Sequence, residues 1–295
     1  MRVVKDRVRP VLDELSAWIS TKVAVVRKEK LSEGWTSWQR EGPRDGIPLV
    51  LVHGATVPSW EFDFLVPALL RAGFQTLRFD LFAHGESDRP PGPYTFERFT
   101  RQVREMLDAS AFPKPVILLG HSFGAAVVAA VAASDPDKVA KLVLVAPMLD
   151  FNSTSAWTTL FRLPGLGELA MHAIGVPTLI RRRRRRYAGI GKPELTPRFI
   201  EQCVDHGFAR GLASMIRSGA LGDQSASYAA LRGFPRDVLV VTGSRDTIIP
   251  PDHVARVRAL LPPHLHCEIE AEHNLLLTHP DAVADALVSW KTRRR

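Results

Sequence analysis

The sequence of 295 residues predicts an α/β fold in which a mostly parallel central sheet is flanked by helices. Three observations carry this prediction. Short apolar, β-branched segments alternate with helical ones. A long helical stretch interrupts the alternation after Pro147. A Gly-x-Ser-x-Gly pentapeptide lies where a predicted strand turns into a predicted helix.

The first elements run from the N-terminus to the interruption. Apolar residues at helical spacing predict a helix over residues 11–26 within an N-terminal extension, residues 1–30. Three predicted strand–helix pairs and a fourth strand follow: "IPLVLVHG" and a helix near Trp60–Ala72, "FQTLRFD" and a helix over Thr95–Ala111, "PVILLG" and a helix over Phe123–Ser134, and "KLVLVAP". Strands joined by helices predict a parallel sheet.

The second half contains the interruption and the return of the alternation. Residues 148–235 are predicted to be helical or irregular, without a strand. The last elements are "DVLVVTG", a helix over His253–Leu261, "HCEIEA" and a helix over Ala282–Lys291. The predicted organisation is therefore an extension (residues 1–30), a first core part (31–147), a helical cap (148–235) and a second core part (236–295).

The composition is ordinary for a globular chain, but its positive charge is concentrated. Hydrophobic residues make up 45% and charged residues 24%, and the six arginines at Arg181–Arg186 supply most of the net charge of +8. A nucleic-acid interface would spread basic residues over a domain face, so we expect no nucleic-acid partner. Cys203 and Cys267 lack the spacing of a metal site and favour a reducing compartment, so we predict a cytoplasmic location.

The pentapeptide Gly120-His121-Ser122-Phe123-Gly124 is typical of a nucleophile elbow. A sharp turn between strand and helix would lift the Ser122 hydroxyl out of the sheet. Larger side chains at positions 120 and 124 would collide with the neighbouring strand and helix, which explains why both positions are glycine. In this context the motif predicts a nucleophilic serine.

A serine nucleophile needs a base, and the base needs a carboxylate to orient it. In this topology the acid follows a late strand, where "VLVVTGSRDTIIP" supplies Asp246. The base follows the last strand, where "CEIEAEHNLLLTHP" supplies His273. Two backbone N–H groups are expected to form the oxyanion hole: that of Phe123, and that of Ala55 after the His53-Gly54 strand end.

These motifs resemble the α/β-hydrolase superfamily, in the branch with an "HG" oxyanion loop and a helical cap, which includes carboxylesterases and monoacylglycerol lipases. "LVLVHG…W", "LRFDLFAHGESDRP", "LLGHSFG", "LVLVAP", "GSRDTIIPP" and "AEHNLLLTHPDAV" occur in family order. The resemblance implies the α/β-hydrolase fold and the triad Ser122, Asp246 and His273. In some relatives the acid follows the sixth strand, which makes Asp150 the reserve candidate. The family's "GHGxSD" begins with Ala83 here, and Ala271 replaces a frequent glycine.

The predicted function is hydrolysis of carboxylic esters with a hydrophobic acyl group, without metal or cofactor. An aspartate at position 122 would have indicated a dehalogenase or epoxide hydrolase. A carbon–carbon bond hydrolase ranks second, because its usual glycine-rich oxyanion loop and Trp after the catalytic His are missing. Lactonase and thioesterase activities stay open. A non-catalytic binding protein is disfavoured, because all triad members are present.

The cap is expected to set the substrate. Its apolar residues would partly pack against the cap and partly roof an acyl pocket, and they are Phe151, Trp157, Leu160, Phe161, Leu163, Leu166, Leu169, Met171, Ile174, Leu179 and Ile180. Six successive arginines point all round a helix, so most of Arg181–Arg186 should be solvated. Contact with an anionic membrane is the second interpretation of this run. The oligomeric state stays open.

Overall fold

The computed structural model describes residues 25–112, 114–151 and 156–292. Almost all of the helix predicted over residues 11–26 lies outside these ranges. Residues 27–30, assigned by the sequence to the N-terminal extension, form the first strand of the sheet instead. The sheet therefore begins earlier in the chain than predicted.

The described residues form one eight-stranded sheet, in the order β1-β2-β4-β3-β5-β6-β7-β8. Strand β2 is antiparallel to both neighbours, and the remaining pairs are parallel. The mostly parallel sheet is confirmed. The strands are β1 (Arg27–Lys30), β2 (Trp35–Glu41), β3 (Ile47–Val52), β4 (Phe74–Phe79), β5 (Val116–His121), β6 (Val139–Val145), β7 (Val238–Gly243) and β8 (Leu265–Ile269).

Helices follow the strands at both faces of the sheet. The α-helices are α1 (Leu65–Arg71), α2 (Phe96–Ala109), α3 (Phe123–Ser134), α4 (Ala156–Phe161), α5 (Leu166–Ala170), α6 (Val176–Gly189), α7 (Leu195–Val204), α8 (His206–Arg217), α9 (Ser225–Ala229), α10 (Pro251–Leu260), α11 (Leu275–Thr278) and α12 (Pro280–Thr292). The helix predicted near Trp60–Ala72 is split into a 3-10 turn, Ser59–Phe62, and α1. Pro67 lacks the N–H that would continue a helix from the turn, but it fits the first turn of α1.

The sheet is buried on both faces, because its side chains alternate. In β3, Val50 and Val52 belong to the core that contains the apolar residues of α2 and α3. Leu49 and Leu51 point the other way, into the core that contains α1 and α12. Strands buried on both faces are mostly apolar, which is why β3, β5, β6 and β7 could be predicted from continuous apolar segments, whereas β4 also carries Gln75, Thr76 and Arg78.

The segment between β6 and β7 carries α4 to α9, and its described residues form no strand. We call it the insertion. Of the apolar residues expected either to pack against the cap or to roof a pocket, five are exposed to solvent: Phe151, Leu163, Leu166, Leu169 and Ile174. The contacts of α5 are with α4 and α8 of the insertion itself, which leaves Leu166 and Leu169 outside. Met171 is buried, and Phe161, Leu179 and Ile180 pack partly against the core.

Helix α6 contains the arginine run and places one face against the rest of the molecule. Val176 and Tyr187 are buried on this face, and Arg183 is half-buried between them along the helix. Their spacing of seven and four residues keeps all three on one side. Arg181, Arg182, Arg184 and Arg185 are exposed, as predicted for most of the run.

Candidate active site

Ser122 lies between the last residue of β5 and the first residue of α3, with φ +53°. This left-handed conformation is strained for a serine. The Ser122 N–H donates to the Val145 carbonyl at 2.9 Å, which fixes the turn against β6.

The two glycines of the elbow are required by close backbone approaches. A Cβ at Gly120 would lie 2.3 Å from the Gly124 carbonyl oxygen, and a Cβ at Gly124 would lie 2.3 Å from that of Val52 in β3. Neither neighbour is a movable side chain. The collision with strand and helix expected from the sequence is therefore found in the structure.

The structure brings Ser122, His273 and Asp246 together from three separate loops. His273 Nε2 lies 3.2 Å from Ser122 Oγ, and His273 Nδ1 lies 2.7 Å from Asp246 Oδ2. In this arrangement the hydroxyl donates to Nε2 and the Nδ1–H donates to the carboxylate. The acid that pairs with His273 is therefore Asp246 rather than the reserve candidate Asp150.

The loops after β7 and β8 are joined by their backbones. The Arg245 N–H donates to the Ala271 carbonyl at 3.0 Å, and the Ser244 N–H donates to that of Ile269 at 2.9 Å. The second oxygen of Asp246 accepts from the N–H groups of Ile248 and Ile249 at 2.8 and 2.9 Å. These bonds hold the carboxylate in place, so that it can orient the imidazole.

The surroundings keep His273 neutral and Asp246 ionised. Burial lowers the pKa of His273, and although the hydrogen bond to Asp246 opposes this effect, the pKa lies below the ordinary value of 6.5. Burial raises the pKa of Asp246, but the bond from His273 and the backbone donors outweigh it, so the net pKa is lowered. An unprotonated imidazole beside a serine is the state that a general base needs.

The loop after β3 approaches Ser122 from the other side. A Cβ built on Gly54 would lie 3.4 Å from the Ser122 Cβ. His84 Nε2 lies 2.9 Å from the Ala55 carbonyl oxygen, and His53 Nδ1 lies 2.7 Å from that of Gly54. Because His53 Nε2 accepts from the Leu81 N–H at 2.8 Å, its Nδ1 carries the proton. Burial lowers the pKa of His53 to about 3, which keeps this ring neutral.

A buried ion pair, Glu61 with His121, lies behind this loop and was missed from the sequence. Glu61 Oε1 accepts from the Gly54 N–H at 3.0 Å and lies 3.1 Å from His121 Nδ1. His121 Nε2 lies 3.2 Å from the His273 carbonyl oxygen. The pair therefore links the loop before Ala55 to the loop of His273. The sequence signal was an ionisable residue, Glu61, between two buried aromatic residues of "SWEF".

The insertion reaches the same loops through Arg183. Its Nη2 donates to Thr56 Oγ1 at 2.7 Å, and its Nη1 donates to Asn274 Oδ1 at 3.1 Å. Thr56 follows Ala55, and Asn274 follows His273. Most of the arginine run was expected to be solvated, but Arg183 contacts residues on both sides of the candidate site.

Three further properties describe the site's surroundings. Within the described ranges, no group of three His, Cys, Asp or Glu side chains is placed to bind a metal ion. One surface cavity of about 560 Å³ is lined by residues of α6, α7 and the loop between them, and a second of about 550 Å³ is lined by residues near Trp290. Neither lining includes Ser122, Asp246 or His273. None of the described helices has the length and apolar composition needed to cross a bilayer.

A family model described as the alpha/beta hydrolase fold matches residues 47–280, and the chain belongs to this family. A hydrolase from Pseudomonas aeruginosa has a solved structure that is 25% identical in sequence, covers 91% of this chain and 98% of its own, and superposes with a TM-score of 0.71. The resemblance stated from the sequence motifs is confirmed at the level of the superfamily and its fold.

Curated relatives of similar length carry several activities. A non-heme chloroperoxidase of Streptomyces lividans is 25% identical over 84% of this chain and 93% of its own. A haloalkane dehalogenase of Mycobacterium marinum is 25% identical over 85% of this chain and 86% of its own. A 2-hydroxymuconate semialdehyde hydrolase of Pseudomonas putida is 27% identical over 76% and 79%. The comparisons support a hydrolase and leave the bond that it cleaves to be argued from the site.

Proposed function

We propose that this chain hydrolyses carboxylic esters through an acyl-enzyme on Ser122. The observation that carries the proposal is the chain of hydrogen-bond distances from Ser122 Oγ to His273 Nε2, 3.2 Å, and from His273 Nδ1 to Asp246, 2.7 Å. The Gly54–Ala55 turn lies beside it. Nucleophile, base, orienting acid and candidate oxyanion donors thus converge at one point.

The proposed reaction has two halves. Ser122 Oγ attacks the ester carbonyl carbon while His273 Nε2 takes the hydroxyl proton, and the resulting oxyanion accepts from the N–H groups of Ala55 and Phe123. The C–O bond of the ester then breaks, and His273 gives its proton to the leaving alcohol. In the second half His273 deprotonates a water that attacks the acyl carbon. The bond between Ser122 Oγ and the acyl carbon then breaks, His273 returns the proton to Ser122 Oγ, and the carboxylic acid is released.

The identity of the nucleophile argues against dehalogenation, although a relative carries that name. An enzyme that displaces halide by a carboxylate nucleophile needs an aspartate at this position, whereas the chain has Ser122. Carbon–carbon bond hydrolysis is the second candidate, because a 2-hydroxymuconate semialdehyde hydrolase is among the relatives. Asn274, in place of the expected Trp after the catalytic His, argues against it. Lactones and thioesters would react by the same steps.

We propose that the insertion acts as the cap over this site. Its support is the pair of bonds from Arg183 to Thr56 and Asn274, together with the bond from Gln202 Nε2 to the Thr56 carbonyl at 2.9 Å. These contacts bring α6 and α7 onto the two loops that flank Ser122. Met171 and the half-buried Leu179 and Ile180 would then contribute apolar surface on the core side.

A panel of substrates tests the proposal. p-Nitrophenyl acetate, butyrate and octanoate should be turned over by the wild type, and turnover should be lost in Ser122→Ala. Ser134→Ala, which changes a serine at the far end of α3, is the matched control and should retain activity. Faster turnover of 2-hydroxymuconate semialdehyde than of every ester would shift the assignment to carbon–carbon hydrolysis. If the wild type turned over none of these esters, the proposed ester hydrolysis would be refuted.

A further inference from the structure

A polar cluster lies where the insertion meets the loops of the candidate site. It consists of Arg183 and Tyr187 from α6, Gln202 from α7, and Thr56 and Asn274 from the core, and we call it the Arg183 cluster. Hydrogen bonds to Thr56 and Asn274 hold the Arg183 guanidinium at this junction, and its Cζ lies over the Phe199 ring, 5.7 Å from the ring centroid. The cluster is thus built from residues of both parts of the chain.

The carboxylate of Glu61 attracts the charge of Arg183 but does not form an ion pair with it. Among the residues that the structure describes, no Asp or Glu side chain forms an ion pair with Arg183, whereas Arg186, one turn later, lies 3.8 Å from Glu272. Glu61, the acidic residue behind the oxyanion loop, is already paired with His121. Because Arg183 is half-buried, its guanidinium has lost part of its contact with water, which costs free energy unless an anion compensates the charge. The arrangement therefore suits a negative charge supplied from outside the chain.

Three buried polar atoms of the cluster are without a hydrogen-bond partner among the described residues: Tyr187 Oη, Asn274 Nδ2 and Gln202 Oε1. Tyr187, Asn274 and Gln202 are only 0%, 5% and 8% exposed. Buried polar atoms are nearly always satisfied in folded proteins. Tyr187 Oη and Asn274 Nδ2 are donors, as are the remaining N–H groups of Arg183, and together they match the acceptor oxygens of a carboxylate. Gln202 Oε1 is an acceptor, which a carboxylate would not satisfy.

The position of the cluster connects it with the chemistry. Thr56 is the residue after Ala55, a candidate oxyanion donor, and Asn274 is the residue after His273. An anion held by Arg183 would therefore lie close to a carbonyl group seated at Ser122. Neutral lipid esters offer no group that would use this charge.

We propose that the Arg183 cluster binds a carboxylate of the substrate, so that the preferred substrates are esters that carry a second, free carboxylate, such as monoesters of short dicarboxylic acids. This inference rests on the proposed ester hydrolysis for its reaction, but the anion site itself does not. Alternatively, Arg183 has only a structural role and holds the insertion against the core. Its substitution would then affect the hydrolysis of charged and neutral esters equally, and the experiment distinguishes this role from anion binding.

The kinetic test compares two esters of matched length, mono-p-nitrophenyl glutarate and neutral p-nitrophenyl pentanoate. The wild type should prefer the glutarate ester in kcat/KM. Arg183→Gln should raise KM for the glutarate ester about 10- to 100-fold, the range expected for losing charge-assisted hydrogen bonds, and should lower kcat/KM for the pentanoate ester much less than for the glutarate ester. Arg183→Lys keeps the charge and should recover part of the loss. Arg182→Gln, at an exposed position of α6, is the control.

Equal losses on both esters in Arg183→Gln, or no preference of the wild type for the charged ester, would overturn the proposal. A second readout needs no turnover: calorimetry of glutarate binding to Ser122→Ala and to the Ser122→Ala, Arg183→Gln double variant. Binding that is present in the first and lost in the second supports the anion site even if no ester is cleaved, in which case only the proposed function fails. Absence of glutarate binding to Ser122→Ala, or equal binding in both, rejects the site.

Discussion

Replacing Glu61 with alanine should destabilise the protein and disturb both sides of the site. Glu61 is only 5% exposed, and its Oε1 accepts from the Gly54 N–H at 3.0 Å and pairs with His121 Nδ1 at 3.1 Å. Alanine at position 61 takes away the carboxylate that both the Gly54 N–H and His121 bond to. It leaves a buried imidazole, which also bonds to the His273 carbonyl, beside an uncompensated N–H.

The expected loss follows from these contacts. Breaking a buried ion pair by removing one partner costs about 3–5 kcal/mol, because the other group stays buried without compensation. For a large single domain, each kcal/mol lowers Tm by about 2–4 °C, so a decrease of roughly 6–20 °C is expected. Glu61→Gln keeps an acceptor for the Gly54 N–H and should lose less. Because Gly54 precedes Ala55, kcat should also fall in Glu61→Ala.

The effect should depend on pH in a defined direction. Burial raises the pKa of Glu61, but His121 outweighs it, so the net pKa lies below the ordinary value of 4.5. Burial lowers the pKa of His121, but Glu61 outweighs it, so the net pKa lies above 6.5. The contribution of Glu61 to the free energy of unfolding is present above pH 4.5 and is lost as the pH falls through the lowered pKa of Glu61. The contribution of His121 is present below pH 6.5 and is lost as pH rises through its raised pKa.

Thermal and urea unfolding of wild type and variants across this pH range measures the effect. The difference between wild type and Glu61→Ala should be largest between pH 4.5 and 6.5 and should narrow above the raised pKa of His121. Glu270→Ala is the control, since the Glu270 side chain is 82% exposed and its removal should change stability by less than about 0.5 kcal/mol. A loss in Glu61→Ala no larger than that of the control would refute the assignment of a stabilising buried pair.

Three further predictions concern the triad and the arginine run. Asp246→Asn should lower kcat for ester hydrolysis by about four orders of magnitude, because the amide favours the wrong tautomer of the imidazole. A decrease of less than tenfold in kcat would contradict the role of Asp246. The kcat/KM of the wild type should fall as pH decreases through a pKa below 6.5, where His273 becomes protonated, and a midpoint well above 6.5 in the pH profile would disagree. Replacing the four exposed arginines of Arg181–Arg186 with glutamine should weaken binding to phosphatidylserine vesicles, because each cation near such a surface contributes about 1 kcal/mol. A sedimentation assay measures this binding, and unchanged binding rejects the membrane contact.

The sheet could be predicted from the sequence where its strands are buried on both faces. Segments such as "LVLV" in β3 have no polar alternation, because helices cover both sides. Strands β1 and β2 were missed because they lie at or near one edge of the sheet and carry charged or polar residues, "RKEK" and "WTSWQRE". An edge strand has little apolar surface to signal its presence.

The triad could be predicted because a local motif marks each of its residues. The residues that hold the surrounding loops could not be predicted in this way. Glu61 and His121 are 60 positions apart, and nothing in either local sequence specifies the other. Arg183 is one of six identical neighbours, and only the orientation of α6 on the core makes it point toward Asn274. Such contacts depend on how elements pack in space, which a single sequence pattern does not encode.

The most direct test of the central claim is covalent labelling of Ser122 by a fluorophosphonate, followed by intact and peptide mass spectrometry. We expect one adduct per chain, located on the Ser122 peptide, absent in Ser122→Ala and strongly slowed in His273→Ala. An adduct on another residue, or an unlabelled wild-type protein, would contradict a nucleophilic serine activated by His273.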